Sequence, residues 1–363
     1  MLTQYIQRND IIFPSMRTKT FYSTWTIIAL LLLASCHHDD ADAPIKPAAE
    51  RTILLLTSEG HIYDQTGKRV AELPNCEYAT EIINDEGDYF VSGKSTKDRV
   101  GYWKNGKWNT LHVDFIDDVE HETQGIGKWD YYIFMYDHPH ILRNSGIFPL
   151  EDPDIFNSLS KCMAVSEGKC YLVGWNYYPE EEKPNDPVLY YEKGGRYVKK
   201  ILPKTSDDVD AVAFSIFAYD GKHTVIGGQM GLEPCIWVDE QLQMLPRTFN
   251  NQSNIYDMPL ANVSSVACTK NHIYAAGSEN DEEMNEVATL WVDGFPRHLT
   301  SGEKGLSWSW IPEIIAYGDD LYALSLEIID HGEGDSDAYV LIWLNGNIVA
   351  KYSGLDIVNF TVI

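Results

Sequence analysis

Five aromatic residues of this chain have types and positions that suit ligand recognition. Trp175, Tyr177 and Tyr178 open one of the longest predicted loops, while Trp308 and Trp310 lie too close together, beside a glycine loop, for ordinary strand core. Exposed aromatic rings stack on the C–H faces of sugars, and nearby carboxylates and amides pair with sugar hydroxyls. These residues are therefore predicted to bind a neutral glycan. The same rings could instead cover the rims of the fold or meet a protein partner.

A second candidate site is an acidic, glycine-containing segment near residue 330. Asp330, Glu333, Asp335 and Asp337 could together bind calcium, which takes six to eight oxygen ligands. Their spacing does not match an EF-hand loop, and a solvated run of charge is the simpler alternative.

Catalytic motifs are absent from the sequence. It contains no Gly-x-Ser-x-Gly elbow, no His-Glu-x-x-His pair and no glycine loop of the phosphate-binding type. Carboxylates are abundant, so a pair suited to sugar chemistry could exist. A non-enzymatic recognition or scaffold protein is the favoured interpretation, with a glycan-active hydrolase or lyase as the alternative.

Internal repeats predict the elements that position these residues. In each repeat a strand is followed, after a variable loop, by an aromatic-centred or leucine-centred strand and a tight polar turn. The central residues, spaced 39 to 54 apart, are Trp103, Leu142, Tyr191, Trp237, Trp291 and Trp343. A weaker first copy contains Ile62 and Tyr63 and turns at Thr66-Gly67.

The polar turns predict antiparallel hairpins, because Asn-Gly and Asp-Gly tolerate the positive φ of two-residue turns. Repeats of about 40–50 residues suit four-stranded propeller blades. The sequence therefore predicts an all-β fold, a seven-bladed β-propeller of four-stranded antiparallel blades. Residues 357–363 form a strand without a partner in their own repeat, and we expect them to complete the first blade and close the ring.

The repeats resemble those of divergent β-propeller lipoproteins of Bacteroidetes, over residues 51–363. They lack the Gly-His and Trp-Asp pairs of WD40 repeats, and only Gly227-Gly228 ends a strand in the manner of kelch repeats. The resemblance implies a fold and no activity, since propellers include both enzymes and binding proteins.

The N-terminal region has the layout of a secretory signal peptide. Arg17 and Lys19 precede an apolar stretch, 27–33, that is shorter than the roughly 20 residues of a membrane-spanning helix. Leu33-Ala34-Ser35-Cys36 resembles the lipobox of bacterial lipoproteins, which implies cleavage after residue 35 and attachment of lipid, such as palmitate, to Cys36. Translation could begin at Met16.

Residues 36–50 are predicted to be a flexible tether between the lipid and a single domain, 51–363. Asp39-Asp40 resembles the export signal of Bacteroidetes surface lipoproteins. The resemblance implies an exported protein on the outer face of the outer membrane, held in the lipid bilayer by acylated Cys36.

The charge of the chain limits its partners. The full sequence carries a net charge of −26, and removal of residues 1–35, with three basic and one acidic side chain, leaves −28. Nucleic acid is therefore excluded as a partner, which leaves a neutral glycan or a protein. The five cysteines after Cys36 have no zinc-type spacing, and we expect most of them to be small buried residues.

Overall fold

A computed structural model describes residues 51–96, 101–110, 125–126, 133–135, 140–143, 146–150, 155–156, 161–176, 178, 183–249, 260–332 and 335–363. The predicted signal peptide, Cys36 and the tether lie outside these residues. Within the described ranges, the structure contains no helix that is long and apolar enough to cross a membrane.

The described strands form seven antiparallel sheets. The first contains β1 (Ile53–Thr57), β2 (His61–Asp64), β3 (Arg69–Glu72) and the last strand of the chain, β29 (Ile357–Val362). The second contains β4 (Cys76–Asp85), β5 (Asp88–Ser95), β6 (Gly101–Lys104) and β7 (Lys107–Thr110). The third, described mainly by its backbone, contains β8 (Gly125–Ile126), β9 (Ile133–Met135), β10 (His140–Arg143) and β11 (Gly146–Pro149).

The fourth sheet contains β12 (Ile155–Phe156), β13 (Met163–Ser166), β14 (Lys169–Asn176), β15 (Asp186–Lys193) and β16 (Arg196–Ile201); both β12 and β13 pair with β14. The fifth contains β17 (Ala211–Tyr219), β18 (His223–Met230), β19 (Glu233–Val238) and β20 (Gln241–Met244). The sixth contains β21 (Ala261–Cys268), β22 (Ile273–Asn280), β23 (Glu286–Val292) and β24 (Phe295–His298). The seventh contains β25 (Leu306–Tyr317), β26 (Asp320–Gly332), β27 (Asp335–Leu344) and β28 (Asn347–Ser353).

The first strand of a sheet packs against the first strands of its neighbours, as β21 does against β17 and β25. In the first sheet this innermost position belongs to β29, which pairs with β1 and packs against β4. The fold is therefore an all-β propeller of four-stranded antiparallel blades, as predicted.

The polar turns have the backbone geometry that the sequence predicts. Asn105-Gly106 has φ values of 47° and 77°, and Asn345-Gly346 has 51° and 80°, so both are left-handed at two successive residues. The asparagine side chains of these turns also bond the second strand of their sheet. Asn105 Oδ1 accepts a hydrogen bond from Tyr89 N of β5 at 2.9 Å, and Asn345 Oδ1 accepts one from Leu321 N of β26 at 2.9 Å.

The repeated tryptophans are packing residues, which confirms their assignment to the core. Trp103, Trp237 and Trp291 are fully buried, each against the preceding sheet. Their indole N–H groups bond the carbonyl oxygens of Pro74, Pro203 and Pro246, at 3.1, 2.8 and 2.8 Å, just after the outermost strand of that sheet. Each tryptophan therefore fixes one sheet to the next. In the fourth sheet Tyr190 is the fully buried aromatic residue and Tyr191 is only partly buried, so the choice of Tyr191 was wrong by one position.

A second set of contacts joins the innermost strands, and we call it the inner belt. Backbone N–H groups on these strands donate to neighbouring innermost strands: Ile314 to Ser265 Oγ (3.1 Å), Phe360 to Glu313 Oε2 (3.3 Å) and Ile82 to Asn359 Oδ1 (2.9 Å). Ile216 N donates likewise to the carbonyl oxygen of Lys161, ahead of β13, at 3.0 Å. The sheets are thus joined around the centre by direct hydrogen bonds as well as by apolar packing.

All five cysteines after Cys36 are free thiols, and those at 162, 170, 235 and 268 are buried. The expectation that most of them are small core residues is confirmed.

Candidate functional site

Trp308 and Trp310 lie together on one face of β25, the innermost strand of the seventh sheet. They are two residues apart, so their side chains point the same way, and their ring centroids are 6.3 Å apart with planes at 59°. Both are partly exposed. They are strand residues, because β25 begins at Leu306, but neither belongs to the buried core, as the sequence predicts.

Polar groups of the sixth sheet surround this pair. Trp310 Nε1 donates to Ser264 Oγ at 3.1 Å, and Trp308 forms a hydrogen bond with Glu286. Ser278 Oγ donates to Glu286 Oε1 at 3.2 Å. Burial raises the pKa of Glu286, and the hydrogen bonds from Ser278 and Trp308 offset this only in part. We call Ser264, Ser278, Glu286, Trp308 and Trp310 the tryptophan cluster.

The topology places the tryptophan cluster at one end of the central channel. Glu286 starts β23 and Trp308 lies near the start of β25; in antiparallel sheets these points share one end. Side chains stand roughly perpendicular to a sheet, so those of Trp308 and Trp310 face the neighbouring sixth sheet, as the bond of Trp310 to Ser264 shows. The cluster therefore places two partly exposed indoles beside the partly buried carboxyl group of Glu286 at this end of the propeller.

The other three predicted aromatic residues do not join this cluster in the described structure. Trp175 is only 8% exposed because it belongs to β14, and it packs edge-on against Phe214 at 5.8 Å. The expectation of an exposed platform at Trp175 was therefore wrong. Tyr178 accepts a hydrogen bond from Asn176 Nδ2 and donates one to Asp186 Oδ2 (3.1 Å), and Tyr177 lies outside the described residues.

The predicted calcium segment is a hairpin rather than an open loop. Asp330 lies in β26, Asp335 and Asp337 lie in β27, and Glu333 lies outside the described residues. Asp337 Oδ2 contacts His331 Nε2 at 2.9 Å; this bond raises the pKa of the imidazole and lowers that of the carboxyl. Among the described residues, no three histidine, cysteine, aspartate or glutamate side chains are grouped to hold a metal ion. The calcium site stays a prediction.

Sequence reasoning missed a buried charged group in the channel, which we call the channel triad. Lys161 Nζ lies 2.9 Å from Glu81 Oε1 of β4 and 2.5 Å from Glu313 Oε1 of β25. The two carboxylate side chains are 6% and 3% exposed and the lysine side chain is 21% exposed. Glu81 and Glu313 come from two different sheets, Lys161 lies just ahead of the fourth sheet, and the three are far apart in sequence, so no local pattern indicates their meeting.

The channel triad is electrostatically coupled. Burial raises the pKa of Glu313 to about 7, even though Lys161 acts in the opposite direction. Burial alone would lower the pKa of Lys161, but Glu313 and Glu81 outweigh it and raise that pKa. Glu313 follows Trp310 by three positions along β25, so the triad lies deeper in the channel than the tryptophan cluster.

Two further buried glutamates hold connecting segments. Glu279 accepts a hydrogen bond from Thr248 N at 2.7 Å and contacts His298 Nε2 at 2.7 Å. Glu327 Oε1 accepts one from Ser301 N at 2.6 Å. In each case a carboxylate near the end of the second strand fixes the segment that arrives from the preceding sheet, so these residues have a structural role.

No protein-family model matches the chain, and no characterised protein matches it in sequence. Among solved structures, a puromycin-hydrolyzing peptidase from Mycobacterium tuberculosis has a TM-score of 0.51 and 11% identity, covering 84% of this chain and 51% of the peptidase. This chain thus spans about half the length of that peptidase. At this identity the similarity shows the fold alone.

Two weaker similarities are with AofleA from Arthrobotrys oligospora and an α-L-arabinanase mutant from Cellvibrio cellulosa. AofleA has a TM-score of 0.38 and 11% identity over 91% of this chain and 95% of its own. The arabinanase has a TM-score of 0.35 and 10% identity over 74% of this chain and 93% of its own. At these TM-scores neither carries information on function.

The channel triad predicts a pH dependence of stability. Because the pKa of Glu313 is about 7 in the folded state against an ordinary 4.5, folded protein holds a proton that unfolded protein releases. The free energy of unfolding should therefore fall as pH rises from about 4.5 to about 7. Glu313→Gln should remove roughly 1–3 kcal/mol of that fall, measured by urea unfolding at both ends of the range.

The exposed Glu72, on outermost strand β3, provides the matched control. Glu72→Gln should leave the pH dependence as it is in the wild type. An unchanged pH dependence in Glu313→Gln would contradict the assignment of the raised pKa to Glu313.

Proposed function

We propose that this protein is a non-enzymatic recognition protein that binds a glycan at the channel mouth formed by the tryptophan cluster. The observation that carries the proposal is the pair of partly exposed indoles on an innermost strand, with hydroxyl and carboxyl groups beside them. Indole faces stack on sugar C–H surfaces, while the partly buried carboxyl group of Glu286 offers a partner for a sugar hydroxyl.

Binding is favoured over hydrolysis by the arrangement of the buried carboxylate pair Glu81 and Glu313. Retaining glycosidases hold two carboxyl groups about 5–5.5 Å apart with the scissile bond between them. Here the ammonium of Lys161 bonds both Glu81 and Glu313 and occupies the space between them. A glycan-active hydrolase or lyase stays the alternative, and turnover of an oligosaccharide by the wild type would favour it.

A protein partner is a second candidate, favoured by apolar side chains on the outermost strands. Among the described residues, six large apolar side chains are exposed, and all six lie within strands at the outer edges of the blades: Val70, Ile201, Met244, Phe295, Ile348 and Val349. Exposed edges with apolar side chains suit assembly with another protein. Repeated recovery of the protein alone from gently solubilised membranes would count against this candidate.

We further infer that the seven sheets are seven blades of one closed ring. The pairing of β29 with β1 and the packing of β29 against β4 and β25 support closure by the terminal strand. A closed ring leaves no open sheet at either end of the blade series. It also gives the tryptophan cluster a scaffold that is fixed on both sides.

We also propose that the propeller is displayed by a lipid on Cys36 at the outer face of the outer membrane, as the lipobox-like sequence and Asp39-Asp40 suggest. The exported protein should incorporate labelled palmitate, and Cys36→Ser should not, because the acyl chain would have no attachment point. Equal labelling of both proteins would contradict this proposal.

The glycan proposal predicts the effect of two substitutions in the tryptophan cluster. Trp308→Ala and Trp310→Ala should each weaken oligosaccharide binding about 5- to 13-fold, because a stacked ring contributes roughly 1–1.5 kcal/mol. The measurement is a glycan array followed by calorimetric titration of the full chain in detergent, with and without calcium. Phe295→Ala is the matched control, since Phe295 is 72% exposed but lies on the outermost strand β24. Unchanged binding in both tryptophan variants would contradict the site.

A further inference from the structure

Several buried or partly buried acids at this end of the propeller have a basic partner, whereas Glu286 and Glu327 have none among the described residues. Lys161 compensates Glu81 and Glu313, Lys204 lies 2.7 Å from Asp186, and His298 lies 2.7 Å from Glu279. Glu286 bonds a hydroxyl and an indole N–H, and within the part of the chain that the structure describes it has no ion pair. Its carboxyl group therefore has no cationic partner among the residues described.

The side chains next to Glu286 are suited to bind a cation. The face of an indole attracts a cation, and tryptophan is the strongest of the aromatic side chains in this respect. Trp308 bonds Glu286 directly, and Trp310 lies 6.3 Å beyond it at an angle of 59°. Two inclined indoles beside a carboxyl group form a site where an ammonium group gains both ring contacts and an ion pair.

The net negative charge of the molecule also favours a cationic ligand. The mature chain carries a net charge of −28, and the channel triad below the cluster has two carboxylates for one ammonium group. Glycans with carboxylate or sulfate groups are repelled by such a field, while a protonated amine is attracted. An ammonium group beside Glu286 would also favour its ionised form, which burial disfavours.

We propose that the tryptophan cluster recognises glycans that carry protonated primary amines, with the ammonium group held between Glu286 and the indoles of Trp308 and Trp310. This inference rests on the proposed function and names its ligand class, an amino sugar such as a glucosamine unit. Stacking supplies affinity for the sugar ring, and Glu286 supplies the preference for the amine.

The test compares three probes of equal length: glucosamine oligosaccharides, their N-acetylated forms and glucose oligosaccharides. They are titrated into the full chain in detergent near pH 6, where a primary amine is protonated. Wild type should bind the amine form about 10-fold or more tightly than the acetylated form, since acetylation removes the charge. The preference should shrink when salt is raised, because the attraction is partly screened.

Variants separate the two contributions. Glu286→Gln keeps an acceptor for Trp308 and should bind all three probes with similar affinity, whereas Trp308→Ala should weaken all three. Glu282→Gln is the matched control, because Glu282 is an exposed carboxylate between the same two strands, β22 and β23. It should keep the wild-type preference, and circular dichroism would confirm that each variant is folded.

The outcomes distinguish this inference from the function on which it rests. Equal affinity of the wild type for amine and acetylated probes would overturn the inference and leave glycan binding in place. A preference that survives in Glu286→Gln would overturn the role of Glu286. Absence of binding to all three probes would overturn the amine inference and count against glycan recognition itself.

Discussion

The hydrogen-bonding requirement of the innermost strands is the constraint on which the rest of this propeller depends. Each innermost strand has one edge that no strand of its own sheet covers, and a buried N–H group without an acceptor costs about 1–3 kcal/mol. The inner belt supplies acceptors from neighbouring strands, with Ser265, Glu313 and Asn359 receiving N–H groups across three successive junctions. Polar residues are therefore required at positions that would otherwise be apolar core, and they make direct bonds between blades.

This requirement also explains the chemistry of the channel. The innermost strands β4, β21 and β25 have β-bulges immediately before Glu81, Ser265 and Glu313, and a bulge redirects the side chain that follows it. Two of these positions hold buried carboxylates, and Lys161, which lies just ahead of the fourth sheet, offsets part of their negative charge. Glu313 belongs to both the channel triad and the inner belt, because it contacts Lys161 and also accepts the N–H of Phe360 in β29. The ionisation of Glu313 is therefore coupled to its hydrogen bond with β29. The tryptophan cluster lies on the same strand and inherits a rigid support.

The sequence predicts the parts of this architecture that local interactions determine. Asn-Gly turns require positive φ wherever they occur, and the buried tryptophans recur because each blade packs on the one before it, so turns, strands and core residues are predictable. Trp175 was assigned to a loop, but β14 extends through Asn176 and includes it; the exact end of a strand is not visible in the sequence. The acidic segment was also assigned to a loop, but β26 continues to Gly332 despite its polar residues. The channel triad depends on contacts between different sheets that bring three distant residues together, and no spacing along the chain encodes it.

Hydrogen exchange on the full chain tests the inner belt most directly. The amides of Ile82, Ile314 and Phe360 lie on edges that have no partner within their own sheets, so only contacts between blades can protect them. The account predicts that these three amides exchange only through global unfolding, with protection equal to that of the central strands, while exposed amides of outermost strands such as β28 exchange fast. Fast exchange of the three amides under native conditions would show that the innermost strands are not joined, and would contradict the inner belt.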